Sequence, residues 1–195
     1  LFRSYISQFI QSANHLILIS PRRFGKSSVV AETVKQSGRK SITVNLQQVT
    51  SVADLSAKLL REFFKVHPIE HIRHLISHFR IIPTISTNQL TGTIDVSFQP
   101  GADGAKLLED VMELIEKAHT EKDRIIVVLD EFQEILDIAP RLDKKMRAIM
   151  QEQKNINYIL LGSQESMMTE IFERKKSPFY HFGELMRLGK LPREE

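Results

Sequence analysis

The sequence predicts an α/β fold: a central parallel sheet with helices on both faces, interrupted once by an inserted helix and β-hairpin. Three observations support this. Short apolar runs alternate with stretches of helical periodicity along most of the chain. Several of those runs, such as Ile-Ile-Val-Val-Leu at 125–129, are continuously apolar, as strands buried on both faces require. The 195 residues suffice for one well-sized core and hardly for two, and 42% hydrophobic with 26% charged residues is the balance of an ordinary soluble globular domain.

Each element has its own signal. Apolar residues at 2, 5, 6, 9, 10 and 13 recur at helical spacing, and the run at 15–19 reads as a short buried strand. A helical pattern then runs from Ser27 to Gly38, a residue suited to a left-handed helix end. The β-branched residues of 40–46 predict the second strand. Ser51 with Asp54 resembles a capping box and opens an amphipathic helix to about Phe64.

The rhythm breaks at 66–102. Residues 67–79 look helical, and the stretch from Thr84 to Phe98 alternates around Leu90-Thr91-Gly92 like a hairpin, so the segment reads as an insertion. Alternation resumes with a helix at about 104–119, a strand at 124–130, a helix after Pro140 and a strand at 157–163. A helix near 164–174 and a weaker strand around 183–188 complete the set. No internal repeat or low-complexity tract is visible.

Composition excludes several classes. Without cysteine there is no disulfide framework, thiolate metal site or cysteine nucleophile, which suits a cytoplasmic location. The longest apolar runs fall far short of the roughly 20 residues a membrane helix needs, so no membrane span is expected. The first residues lack the layout of a signal peptide. Leu1 in place of an initiating Met suggests a piece of a longer protein. A net charge of +3 permits contact with nucleic acid but is too small to argue for it.

Ser20-Pro21-Arg22-Arg23-Phe24-Gly25-Lys26-Ser27 differs at one position from the phosphate-binding pattern G-x-x-x-x-G-K-[ST], with Ser20 where the first Gly stands. The loop lies between a predicted strand and a predicted helix, as the pattern requires. Such a loop turns backbone N–H groups inward around a β-phosphate, and the helix dipole adds to their pull. Gly25 lets the backbone approach closely, Lys26 would bridge β- and γ-phosphate oxygens, the Ser27 hydroxyl would ligate Mg²⁺, and Ser28 begins the helix proper. Taken alone, the stretch is also compatible with a solvated basic turn.

A second motif decides between them. The strand at 124–130 ends in Asp130 followed by Glu131. In P-loop ATPases of the additional-strand type, an Asp at this place holds Mg²⁺ through water and the next Glu polarises the attacking water. Both must stand at the carboxyl end of a central strand, where open α/β sheets bind their ligands. Ser163 and Gln164, just past the next apolar strand, are either a polar sensor of the γ-phosphate or an ordinary helix start.

With these residues in view, the chain resembles the archaeal-type ATPase family, a branch of the additional-strand P-loop ATPases related to AAA+ and STAND proteins. The resemblance rests on SPRRFGKSS, VVLDEFQEI, LLGSQESMM and SPFYHFGELMRLGKL and covers nearly the whole chain. It implies a P-loop NTPase three-layer sandwich with sheet order 5-1-4-3-2, and ATP or ADP with Mg²⁺ as ligand. It also implies a helical lid and a winged-helix region after the core, before which this chain ends. Where family members often carry an Arg after the Phe-Tyr pair this chain has His181, so an arginine finger is unassigned and Arg187 is the nearest later candidate.

His67, His71, His74 and His78 could ligate a metal if three of them share a helix face. Ile69, Ile72, Ile76 and Phe79 form the opposite stripe, however, and the histidines read as the solvent side of an amphipathic helix. The basic run at 172–176 reads as a solvated helix end, and Met167 and Met168 as packing. The expected function is Mg·ATP binding with hydrolysis that moves a further region, a protein partner or a second copy of the chain. An ATP-regulated nucleic-acid-binding module and a non-hydrolysing scaffold are the alternatives.

Overall fold

The computed structural model describes residues 2–12, 14–80, 82–87 and 93–189. In chain order the strands are β1 (Leu16–Ile19), β2 (Ser41–Asn45), β3 (Thr84–Thr87), β4 (Ile94–Ser97), β5 (Ile125–Asp130), β6 (Ile156–Gly162) and β7 (Glu184–Arg187). β3 and β4 pair as an antiparallel hairpin, and the other five form one parallel sheet in the order β2-β5-β6-β1-β7. With the hairpin left out of the count, this is the order 5-1-4-3-2 that the family resemblance implies; the labels differ because two hairpin strands intervene.

The helices are α1 (Phe2–Gln11), α2 (Lys26–Gln36), α3 (Val52–Val66), α4 (Ile69–Ile76), α5 (Gly104–Lys117), α6 (Ile135–Ile138), α7 (Leu142–Glu152) and α8 (Glu165–Glu173). They lie in two layers because the central strands are apolar on both sides. Leu16, Leu18, Ile126, Val128, Ile159 and Leu161 point to a core closed by Ile6, Phe9 and Ile10 of α1 and Val29, Val30 and Val34 of α2. The alternate positions Ile17, Ile19, Val127, Leu129, Tyr158 and Leu160 face the larger core, with α3, α5, α7 and α8. Full burial of a side chain of this size is worth about 1.5–3 kcal/mol, so this pattern of strands commits the chain to the three-layer arrangement.

Local signals explain the helix ends. Ser51 Oγ accepts from Asp54 N at 3.1 Å, while the Asp54 carboxylate accepts from Thr50 N at 2.9 Å, so the reciprocal half of the capping box reaches one residue further back. Gly38 ends α2 at φ +69°, as its position in the sequence suggests. The helix after Pro140 begins at Leu142, because Arg141 at φ +62° first turns the chain. α6 and two single 3-10 turns, Leu46–Gln48 and Phe132–Glu134, are too short to leave a periodic signal.

The insertion is docked on the core rather than detached. Ile72 and Ile76 of α4, then Phe79, pack into the larger core, and Val96 brings β4 against α3. Arg80 clasps the buried Asp110 of α5, with Nε 2.8 Å from Oδ1 and the backbone N–H donating to Oδ2 at 2.9 Å. His71, His74 and His78 are exposed, as the amphipathic reading requires. His67 departs from the stripe: it follows the end of α3, is buried, and places Nε2 2.9 Å from Nε2 of His119. His119 Nδ1 lies 2.9 Å from Ile115 O and so donates there, which assigns the shared proton to His67. Among the described residues no group of three or more His, Asp or Glu side chains is arranged to hold a metal ion. Residue 13 of the first helical pattern, the Leu90-Thr91-Gly92 turn, and Lys190 and Leu191 of the last family motif lie outside the described residues.

The edge strand β7 is set by a close backbone approach. A Cβ on Gly183 would stand 2.5 Å from His15 O, the carbonyl that accepts from Glu184 N at 2.9 Å. Gly183→Ala is expected to cost about 1–3 kcal/mol, seen as a lower urea midpoint with an unchanged slope.

Candidate functional site

The sheet order brings three chain segments together. β6 lies between β5 and β1, with Ile19 opposite Gly162, so the segment after β6 falls between the loop after β1 and the acidic end of β5. These are the carboxyl ends of parallel strands, where an open α/β sheet presents its crevice. Ser20 closes the strand side of the loop: it is buried, and its N–H donates to Gly162 O at 3.1 Å. Its hydroxyl has no hydrogen-bond partner among the described residues.

The loop passes through the left-handed region at Arg23 (φ +66°) and Gly25 (φ +81°) and then enters α2. The helix starts at Lys26, one residue before the helical pattern that opens at Ser27 and two before Ser28, because Gly25 already provides the turn and accepts the first helical bond from Val29 N at 3.0 Å. No side chain caps this end, so the first N–H groups of α2 keep their affinity for an anion.

Lys26 meets both carboxylates and Ser27 meets Asp130. Lys26 Nζ is 2.7 Å from Glu131 Oε1 and 3.6 Å from Asp130 Oδ1. Ser27 Oγ donates to Asp130 Oδ2 at 2.6 Å. Glu131 Oε2 accepts from Ser163 Oγ at 2.6 Å, from Gln133 Nε2 at 2.7 Å and from Ser163 N at 3.3 Å. Six side chains from three segments thus form one connected set, and Glu131 at its centre is only 8% exposed.

Glu131 holds this position through its backbone. Its φ of +53° is left-handed, which costs a residue with a Cβ about 1–2 kcal/mol. Burial alone would raise its pKa, but the hydrogen bonds from Gln133, Lys26 and Ser163 and the charge of Lys26 outweigh that and lower it to about 2. The carboxylate is therefore ionised and weakly basic while Lys26 stays paired with it.

The remaining predicted residues divide between rim and loop. Gln164 does not reach Glu131; its Nε2 is 3.4 Å from Glu134 Oε1. Pro21, Arg22, Arg23 and Ser28 are exposed and Phe24 is half-buried. Two contacts are not legible in the sequence, although Arg22 belongs to the predicted cradle and Gln133 to the VVLDEFQEI motif. Gln133 is fully buried and bonds Glu131 only because the 3-10 turn folds it back, and Arg22 brings Nε to 3.4 Å from Ser163 Oγ. Ser27 Oγ and Asp130 Oδ2 are adjacent hard oxygens. They fit Mg²⁺, which takes one or two protein oxygens and fills its shell with water and phosphate.

The fold and this arrangement define a P-loop ATPase of the additional-strand class. The family model of the AAA domain matches residues 10–167, and the chain belongs to that family. No curated protein matches the sequence. The structure is similar to that of a Walker-type ATPase of Pyrococcus abyssi, with TM-score 0.59 at 19% identity over 96% of this chain and 53% of that one. It is also similar to the ADP form of the Aeropyrum pernix ORC2 protein, with TM-score 0.57 at 16% identity over 96% and 46% of the two chains. For the Aeropyrum pernix ORC1 protein in complex with DNA the TM-score is 0.58 at 14% identity, over 97% and 44%. The chain spans about half the length of these neighbours. Among the described residues no helix is long and apolar enough to cross a membrane.

The depressed pKa of Glu131 sets a pH window. Its contribution to stability is present above the unfolded value of 4.5 and is lost as pH falls toward about 2. The stability gap between wild type and Glu131→Gln, measured by urea unfolding, should be wide at pH 6 and narrower at pH 3.

Proposed function

We propose that this domain binds Mg·ATP and hydrolyses it to ADP and phosphate, as a nucleotide-driven conformational switch. The observation that carries the reading is the convergence of Lys26, Ser27, Asp130, Glu131 and Ser163 at the carboxyl ends of three adjacent strands. The loop from Ser20 to Ser28 cradles the phosphates, with Lys26 turned from Glu131 toward the β- and γ-phosphate oxygens. Ser27 and Asp130 hold Mg²⁺, which when bound neutralises charge on the phosphate oxygens.

Glu131 orients the attacking water. Loss of the Lys26 ammonium to the phosphates removes one cause of its low pKa, so the carboxylate becomes more basic once the substrate is seated. The water oxygen bonds to the γ-phosphorus, the bond from that phosphorus to the bridging oxygen breaks, and the water proton passes toward Glu131. Ser163 links Glu131 to the end of β6 and senses which group it faces, while Gln164 works from the rim through Glu134. The moving output is a region outside residues 1–195, such as a lid and winged helix, a protein partner or a second copy of the chain.

Lys26→Ala should abolish stabilisation by Mg·ADP in a thermal melt; in wild type, ligand at 100 times its dissociation constant adds about 2.7 kcal/mol. Glu131→Gln should keep binding and lower turnover by roughly 100-fold or more, the worth of a positioned base. Unchanged turnover in Glu131→Gln contradicts its role, and nucleotide stabilisation in Lys26→Ala contradicts the cradle.

A further inference from the structure

The loop carries a charge that none of these roles uses. Arg22 is exposed, and its Nε donates to Ser163 Oγ at 3.4 Å, the same hydroxyl that donates to Glu131 Oε2 at 2.6 Å. One hydroxyl therefore separates the Arg22 guanidinium from the carboxylate that faces the attacking water. No carboxylate among the described residues pairs with Arg22. Arg187, the nearest later candidate for an arginine finger, is engaged on β7 with Glu165 and Glu173, and these pairs raise its pKa.

We propose that Arg22 is a catalytic residue of this site, placing its guanidinium on the γ-phosphate oxygens in cis, from the cradle's own loop. The inference rests on the Mg·ATP reading. Lys26 approaches the phosphates from the base of the loop and Arg22 from its outer side, past Ser163. A guanidinium suits this place because its planar fork matches two phosphate oxygens and stays charged at any working pH. Arg22 exchanges no proton. As the bond from phosphorus to the bridging oxygen breaks, negative charge grows on the terminal and bridging oxygens, and a fixed cation there stabilises the transition state more than the bound substrate. Hydrolysis then needs no arginine from a second subunit.

The test combines turnover with binding of a transition-state mimic. The kcat and KM for ATP are measured for wild type, Arg22→Ala, Arg22→Lys, Ser163→Ala and the Arg22→Ala, Ser163→Ala pair, with thermal melts in Mg·ADP alone and with aluminium fluoride added. Arg22→Ala should lower kcat by at least about 100-fold with little change in KM. It should keep the Mg·ADP stabilisation and lose the increment from aluminium fluoride, and Arg22→Lys should restore only part of both. A residue that merely orients Ser163 would have no effect in the Ser163→Ala background, whereas a catalytic arginine lowers kcat there as well.

A kcat within threefold of wild type overturns the proposal, as does an equal loss of Mg·ADP and aluminium fluoride stabilisation. Wild-type turnover per chain that rises with protein concentration also overturns it, by pointing to a group supplied in trans. If wild type is not stabilised by Mg·ADP at all, the nucleotide reading itself fails and takes this inference with it; stabilisation by Mg·ADP without the fluoride increment overturns the inference alone.

Discussion

The contact between Lys26 and Glu131 is the constraint on which the site depends. A buried carboxylate without a cation or donors would be pushed toward its neutral form, and a buried ammonium without a partner would be equally costly. At 2.7 Å each solves the other's problem, and Ser163 and Gln133 satisfy the remaining lone pairs of the carboxylate. The same pairing gives the site two states. On the proposed function, phosphate oxygens and Glu131 would compete for one ammonium, so nucleotide binding and the basicity of Glu131 would be coupled.

The sheet makes this contact possible. Lys26 and Glu131 are 105 positions apart in the chain, and only parallel strands with β6 seated between β1 and β5 bring their loops to one edge. The strands lie in that order because they are apolar on both faces and need helices above and below them. The insertion between β2 and β5 packs on α3 and α5, and the five strands keep one continuous parallel sheet. A strained left-handed turn at Glu131 then aims the side chain back at the loop, and the stable scaffold around it sustains that strain.

Much of this is legible in the sequence because the strongest signals are the longest. Continuous apolar runs mark β5 and β6 to within a residue or two, and Gly38 marks the end of α2. The order of the cradle, the acidic pair and Ser163 along the chain identifies three of the corners of the site. What stays hidden depends on single backbone angles. Gly25 moves the start of α2 to Lys26, Arg141 delays α7, and a single 3-10 turn brings Gln133 onto Glu131; none of these leaves a periodic trace. His67 is hidden for another reason. Its spacing joins it to His71, His74 and His78, while its place after α3 gives it to His119. Long-range partners of that kind are invisible to helical spacing.

The most direct measurement of the central claim is the affinity of Mg·ATP for wild type and for Glu131→Gln by calorimetric titration. If Lys26 must leave Glu131 to meet phosphate, the neutral amide competes less for the ammonium, and the variant binds Mg·ATP more tightly than wild type. Equal or weaker binding by Glu131→Gln would show that the ion pair does not compete with phosphate, and would contradict the account.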